Sequence, residues 1–173
     1  MTRRLSLLVS WGCLALLVLI PAGLLFGLVR LDLFAELAQN SVRLAIQWRT
    51  VVDWQLYALW LATALYLSIG LVGLAYLRRA FANFADGELF NVANSRDLRR
   101  FAVLLLIQAV ATPVHGAVTS VLLSMNHPGG QKILSIGFGS PELKATGVAL
   151  VLWVMSELLV EGSRLQSENR QFV

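Results

Sequence analysis

The chain predicts an all-α membrane protein: an antiparallel bundle of four transmembrane helices, with one further helix lying at the outer interface. Three observations carry this expectation. Four apolar stretches are each long enough to cross a bilayer. Hydrophobic residues make up 57% and charged residues only 14% of the 173 residues, against roughly 45–50% and about 25% in a soluble domain. Arginines crowd the ends of alternate stretches. One integral membrane domain is expected over residues 1–173, with lipid rather than a large water-excluding core covering the apolar surface. The net charge of +4 does not point to direct nucleic-acid binding, because the arginines flank hydrophobic spans instead of forming a separate basic domain.

The first span, residues 5–29, is 25 residues without a charge. At about 1.5 Å per residue it exceeds the roughly 30 Å hydrocarbon core and crosses with tilt. Arg3 and Arg4 ahead of an apolar run resemble a signal peptide, but the apolar core of such a peptide is about 7–15 residues, so the segment is read as retained. Gly12-Cys13 fits a lipoprotein cleavage site poorly, with too few apolar residues before it and too many after. Gly23 and Gly27 form a GxxxG pair in this span, and Ala64 with Ser68 a small-xxx-small pair in the second. Such faces permit a homo-oligomer, but packing within the bundle is the expected use.

Residues 31–55 are too apolar for a solvated linker. Leu33, Leu37, Leu44 and Trp48 recur near helical spacing, with Asp32, Glu36, Arg43 and Arg49 on a polar side, as in an interfacial helix. The second span, residues 56–77, carries no charge and ends at Arg78-Arg79. In the loop that follows, Asp86-Gly87 is a turn pair and Asn91 or Asn94 is placed to cap the next helix. Asp97, three residues after Asn94, makes an incomplete capping box. The helix of the third span, residues 101–125, is thus expected to start before the membrane and to carry Arg96, Arg99 and Arg100 on its first turns. The next loop has turn signals at His127-Pro128-Gly129-Gly130 and from Gly137 to Pro141, with a short extended segment expected at 133–138. The fourth span, residues 145–162, is the weakest by hydropathy, because Glu157 and Glu161 fall near its end.

With the N-terminus inside, the inner segments hold nine arginines: Arg3, Arg4, Arg78, Arg79, Arg96, Arg99, Arg100, Arg164 and Arg170. The outer side holds five basic residues, Arg30, Arg43, Arg49, Lys132 and Lys144, spread over longer loops. Basic residues are retained on the cytoplasmic side during insertion, so both termini are expected there.

The stretch Phe84, Gly87-Glu88-Leu89-Phe90, Asn91, Asn94 and Leu98-Arg99-Arg100 resembles the signature of a bacterial four-span inner-membrane family, the domain of unknown function DUF2975. The ending Glu161-Gly162-Ser163-Arg164-Leu165-Gln166-Ser167-Glu168-Asn169 is similar to that family's ending. Asn91 stands where members more often carry Thr or Ser at the cap. The resemblance implies a multi-pass protein of a bacterial inner membrane. Because members are often encoded beside a small helix-turn-helix regulator, it also implies a regulatory pairing. It implies no chemistry.

No catalytic, metal or cofactor motif stands out, so a non-enzymatic protein without cofactor is expected. Cys13 is the only cysteine, which excludes an intramolecular disulfide and a dithiol centre. With a single histidine in the spans, a haem or multi-ligand metal site has too few ligands. Glu157 and Glu161 share a helix face, and carboxylates within a span suggest proton or cation coupling. The competing expectation is that they sit at the inner interface and pair with Arg78, Arg79, Arg99 or Arg100. His115, two residues after Pro113 and two turns after Gln108, marks either a site beside a helix break or a kink with a hydrogen-bonded histidine. The leading reading is a regulatory or interaction protein that meets lipid along its spans. Its cytoplasmic partner would be met through Phe84, Gly87, Glu88, Phe90, Arg96, Arg99, Arg100 and the tail from Ser163. The alternative is a small transporter or ion-coupled carrier using His115, Glu157 and Glu161.

Overall fold

In a bilayer the backbone finds no water to bond, so a long apolar segment satisfies its own N–H and C=O groups by closing into a helix. The computed structural model describes residues 2–42, 50–87, 91–128 and 133–170. Its elements are α1 (Thr2–Val29), α2 (Leu31–Val42), α3 (Asp53–Ala85), α4 (Val92–Ser124) and α5 (Ser140–Arg170). Stretches of α1, α3, α4 and α5 are long and apolar enough to cross a membrane. The chain is a multi-span helical membrane protein.

The helices outrun the apolar spans at the arginine-rich end, where α3 continues past Leu77 to Ala85 and α4 begins at Val92 rather than Phe101. Local capping accounts for both limits. Asp86 ends α3 and Gly87 follows with φ of 89°, a conformation that costs a residue with a Cβ about 1–2 kcal/mol. Asn91 is extended, and its side chain accepts a hydrogen bond from the Ala93 N–H at 2.9 Å, so Asn91 rather than Asn94 caps α4. At the start of α5, the Gly139 N–H donates to the Glu142 carboxylate at 2.7 Å, which satisfies one orphan donor of the first turn.

The four long helices pack as an open row in the order α1, α3, α4, α5. Each touches only its neighbours, and α1 and α5 make no contact among the described residues. Small side chains make this packing close: Ala80, Ala102, Ala109, Ala149 and Ser156 are buried, while Leu19, Leu65, Val110 and Val151 face outward. Lipid is as apolar as leucine, so helices associate here through close backbone approach and polar ties rather than through burial of large residues. The Trp60 indole N–H donates to the Leu24 carbonyl at 2.8 Å and joins α3 to α1. The Ser95 hydroxyl donates to the Ser156 carbonyl at 2.8 Å and joins α4 to α5.

The segment expected to be helical after the first span is a helix over Leu31–Val42, α2; Arg43, Leu44, Trp48 and Arg49 lie outside the described residues. Phe34 of α2 packs on the buried Leu59 and Leu123. Gly27 admits it, since a Cβ there would lie 3.2 Å from the Phe34 ring. A Cβ on Gly23 would have no neighbour within 4 Å, so packing among the described residues accounts for only one member of the GxxxG pair, through α2. At the α1–α2 joint the Arg30 guanidinium donates to Asp32 at 2.8 Å, and that hydrogen bond holds the Asp32 carboxyl down at about 2.

The extended segment expected at 133–138 lies along α4 without forming a strand. The Ile133 N–H donates to the Ser124 hydroxyl at 2.9 Å, and the Ser135 N–H donates to the Ser120 hydroxyl at 2.9 Å. Ser120 and Ser124 are one helical turn apart, so α4 offers two acceptors at a spacing an extended chain can meet.

Candidate functional site

Two regions collect the polar side chains of the row. The first is the α3–α4 turn with the basic end beside it. The Asn83 amide N–H donates to the Asn94 side-chain oxygen at 2.6 Å, and Asn94 has no exposed surface. This pair ties the last turn of α3 to the first turn of α4. The half-buried Phe84 meets Phe81 edge to face at 5.4 Å. Gly87 is exposed; Glu88 and Phe90 lie outside the described residues.

Beyond the turn, α4 carries its arginines on two flanks. Arg99 reaches α5, where its guanidinium lies 5.1 Å from the Trp153 ring centroid and 3.4 Å from the Glu157 carboxylate. Both partners of that ion pair are about half exposed. Arg100 turns toward α3, 5.2 Å from the Tyr76 ring centroid, and Asp97 lies 3.7 Å from it. Arg79 approaches the same tyrosine at 5.9 Å. Arg96, Arg99, Arg100, Tyr76 and the apolar Val72, Val103 and Leu104 line a cleft of about 500 Å³ between α3 and α4.

The second region is a polar column along the middle of the α3–α4 interface. The Thr63 hydroxyl donates to the Leu59 carbonyl at 2.9 Å and lies 3.1 Å from His115 Nε2. A hydroxyl has one hydrogen, so with Thr63 donating to Leu59 it is Nε2–H that donates to Thr63. The same accounting applies one turn on. The Thr112 hydroxyl donates to the Gln108 carbonyl at 2.9 Å, so the Tyr66 hydroxyl, 3.1 Å away, donates to Thr112. The His115 and Tyr66 rings stack at 4.6 Å. The side-chain oxygen of Gln108 is buried, faces Gly70 and finds no hydrogen-bond partner among the described residues. Pro113 sits in this stretch and α4 runs unbroken through it.

At the far end of the column Gln55 staples the two helices. It has no exposed surface. Its carboxamide oxygen accepts from the Val52 N–H at 2.7 Å and from the Asn126 side chain at 3.0 Å, while its N–H donates to the Leu122 carbonyl at 2.5 Å.

The histidine and the acids do not form one site. Glu157 sits at the level of Arg99, which is 16 residues from His115 along α4, or about 24 Å at 1.5 Å per residue. Glu161 lies one turn further along α5 and is exposed. Among the described residues no group of three His, Cys, Asp or Glu side chains is placed to hold a metal. What the column offers is a ladder of hydroxyl, imidazole and amide groups without a carboxylate.

Sequence reasoning singled out Gln108 and His115 but missed Thr112 between them, although the steps of four and three put all three on one helical face. Thr63 and Tyr66 carry the same signal, three apart in the second span. Gln55 and Asn83 were missed for another reason: each gains its role from a partner on the other helix, which spacing along one helix does not reveal.

The sequence model of a family described as "Protein of unknown function (DUF2975)" matches residues 43–172. The chain matches none of the curated proteins and none of the solved structures.

Proposed function

The chain belongs to the DUF2975 family of proteins of unknown function, and from that premise we propose that it is a non-enzymatic regulatory protein of a bacterial inner membrane. In this reading both termini are cytoplasmic, and a small cytoplasmic helix-turn-helix regulator docks on the α3–α4 turn and the α5 tail. The observation that carries the reading is the construction of the turn. A passive connector needs no buried Asn83–Asn94 pair, no left-handed Gly87 and no Asn91 cap. Together these fix the end of α3 and the start of α4 against each other, and a surface used for recognition gains from such pre-organisation. The charge asymmetry of the flanking arginines supports the cytoplasmic assignment.

The carrier reading is less favoured, because it needs His115, Glu157 and Glu161 to act on one ligand across a separation of about 24 Å. The deciding experiment tests capture of a small helix-turn-helix regulator by the full chain in detergent and compares it with the Glu88→Ala, Phe90→Ala double variant. Capture is expected to fall at least about tenfold, as for loss of a central anchor, while membrane insertion stays unchanged. If the double variant retains full capture and full cellular activity, and His115→Ala or Glu157→Gln abolishes that activity, the carrier reading replaces this one.

A further inference from the structure

We propose that the cleft between α3 and α4 at the arginine-rich end is a binding site for one anionic phospholipid, with the phosphate at Arg96 and Arg100 and an acyl chain along the apolar floor. The cleft has two chemical zones in the order an amphiphile requires. Its upper rim carries Arg96, Arg100 and the Tyr76 ring; its floor is Val72, Val103 and Leu104.

The floor does not end within the cleft. On α4 the face below Arg96 and Arg100 continues through Ile107, Val110, Val114, Val118 and Val121, all exposed, at steps of three and four that keep them on one side. On α3, Leu61 and Leu65 are exposed below Val72 in the same way. From Arg100 to Val110 this apolar track runs about 15 Å at 1.5 Å per residue, half of the roughly 30 Å hydrocarbon core and so the depth of the one leaflet that a single lipid occupies. A soluble anion would use only the rim. A lipid uses both zones.

The charge balance of the rim favours an anion. Three guanidinium groups line the cleft. Glu157 answers Arg99 from α5, and Asp97 stands 3.7 Å from Arg100. No carboxylate pairs with Arg96 among the described residues. The rim therefore keeps a net positive charge where helices leave the hydrocarbon, the position at which basic pockets between helices select anionic headgroups. Tyr76 adds an amphipathic ring at headgroup level. The contact of Arg100 with that ring, at 5.2 Å, holds the guanidinium over the cleft and leaves its N–H donors for phosphate oxygens.

The full chain in a neutral detergent, titrated with phosphatidylglycerol and followed by native mass spectrometry, tests the assignment independently of the docking reading. One phosphatidylglycerol is expected to bind, with phosphatidylcholine at least about tenfold weaker. Arg96→Gln with Arg100→Gln is expected to weaken phosphatidylglycerol binding at least about tenfold, and the corresponding pair of lysine substitutions to keep most of it. Should the glutamine variant fail to fold, Val72→Trp, which fills the floor without touching charge, decides alone and is expected to give the same loss. Equal binding of the two lipids, or wild-type affinity in the glutamine or tryptophan variant, overturns the proposal. Displacement of the lipid by an equal concentration of glycerol phosphate also overturns it, in favour of a soluble phosphate ligand at the rim.

Discussion

Gln55 joins α3 to the end of α4 through hydrogen bonds, beside the buried Leu59 and Leu123. It lies at the start of α3, where the first N–H groups have no partner inside the helix, and its carboxamide takes the Val52 N–H in the manner of the distal half of a capping box. The same amide then reaches the Leu122 carbonyl and the Asn126 side chain near the end of α4. One side chain thus ends one helix and positions another. Gln55→Leu keeps the size but removes all three bonds, each worth about 0.5–1.5 kcal/mol. The variant is expected to lose about 3 kcal/mol of stability, measured by reversible unfolding in mixed micelles. Loss below about 0.5 kcal/mol would mean that water enters the join and replaces the amide. The Arg99–Glu157 pair contrasts with this staple. Both groups are half exposed, so its contribution is about 1 kcal/mol or less.

Among the elements, the segment at 133–139 differs most from its usual form, since an extended chain ordinarily finds its ladder in a second strand. Here the ladder is a helix face, with the Ser120 and Ser124 hydroxyls taking the amides of Ser135 and Ile133. The Ser120→Ala, Ser124→Ala double variant is expected to raise amide hydrogen exchange at Ile133 and Ser135 about fivefold, because each lost bond is worth about 1 kcal/mol, and to leave exchange in α4 unchanged. Equal protection in the variant would show that the backbone is held by other contacts. The four long helices were legible in the sequence because apolar length alone compels a helix in lipid, and the start of α4 ahead of its span was legible because Asn91 and Asp86-Gly87 act on their own neighbours. The serine ladder was not, since Ser120 and Ser124 look like ordinary span residues until the returning loop lies against them. The polar column was half legible. Gln108 and His115 are visible on one helix, but the register that brings Thr63 and Tyr66 opposite them is set by packing between helices. Gly23 shows the converse, since of the GxxxG pair read as internal packing only Gly27 meets a neighbour within the chain.

At the scale of the molecule, the open row explains why so little of the chain is buried and why its charges divide so sharply. In antiparallel order the start of α1, the end of α3, the start of α4 and the end of α5 share one end, which gathers Arg3, Arg4, Arg78, Arg79, Arg96, Arg99, Arg100 and Arg164. Arg30, Asp32, Glu142 and Lys144 mark the other. With no closed core, these helices are held in register by side-chain ties, and the direction in which the row inserts is set by the charged ends. Moving a cluster of arginines across a bilayer is strongly disfavoured, at about 2.5–3.5 kcal/mol per basic residue at the centre on insertion scales. A phosphatase reporter inserted at residue 130 is therefore expected to be active outside, and one fused after Val173 inactive, with a cytoplasm-requiring reporter giving the opposite pattern. Replacing Arg78, Arg79, Arg99 and Arg100 with glutamine removes much of the bias and is expected to produce a mixed population in which both fusions show partial activity. If the wild-type chain gives an active phosphatase after Val173, the arginine-rich end faces outward; the docking turn would then be out of reach of any cytoplasmic regulator, and the phospholipid cleft would belong to the opposite leaflet.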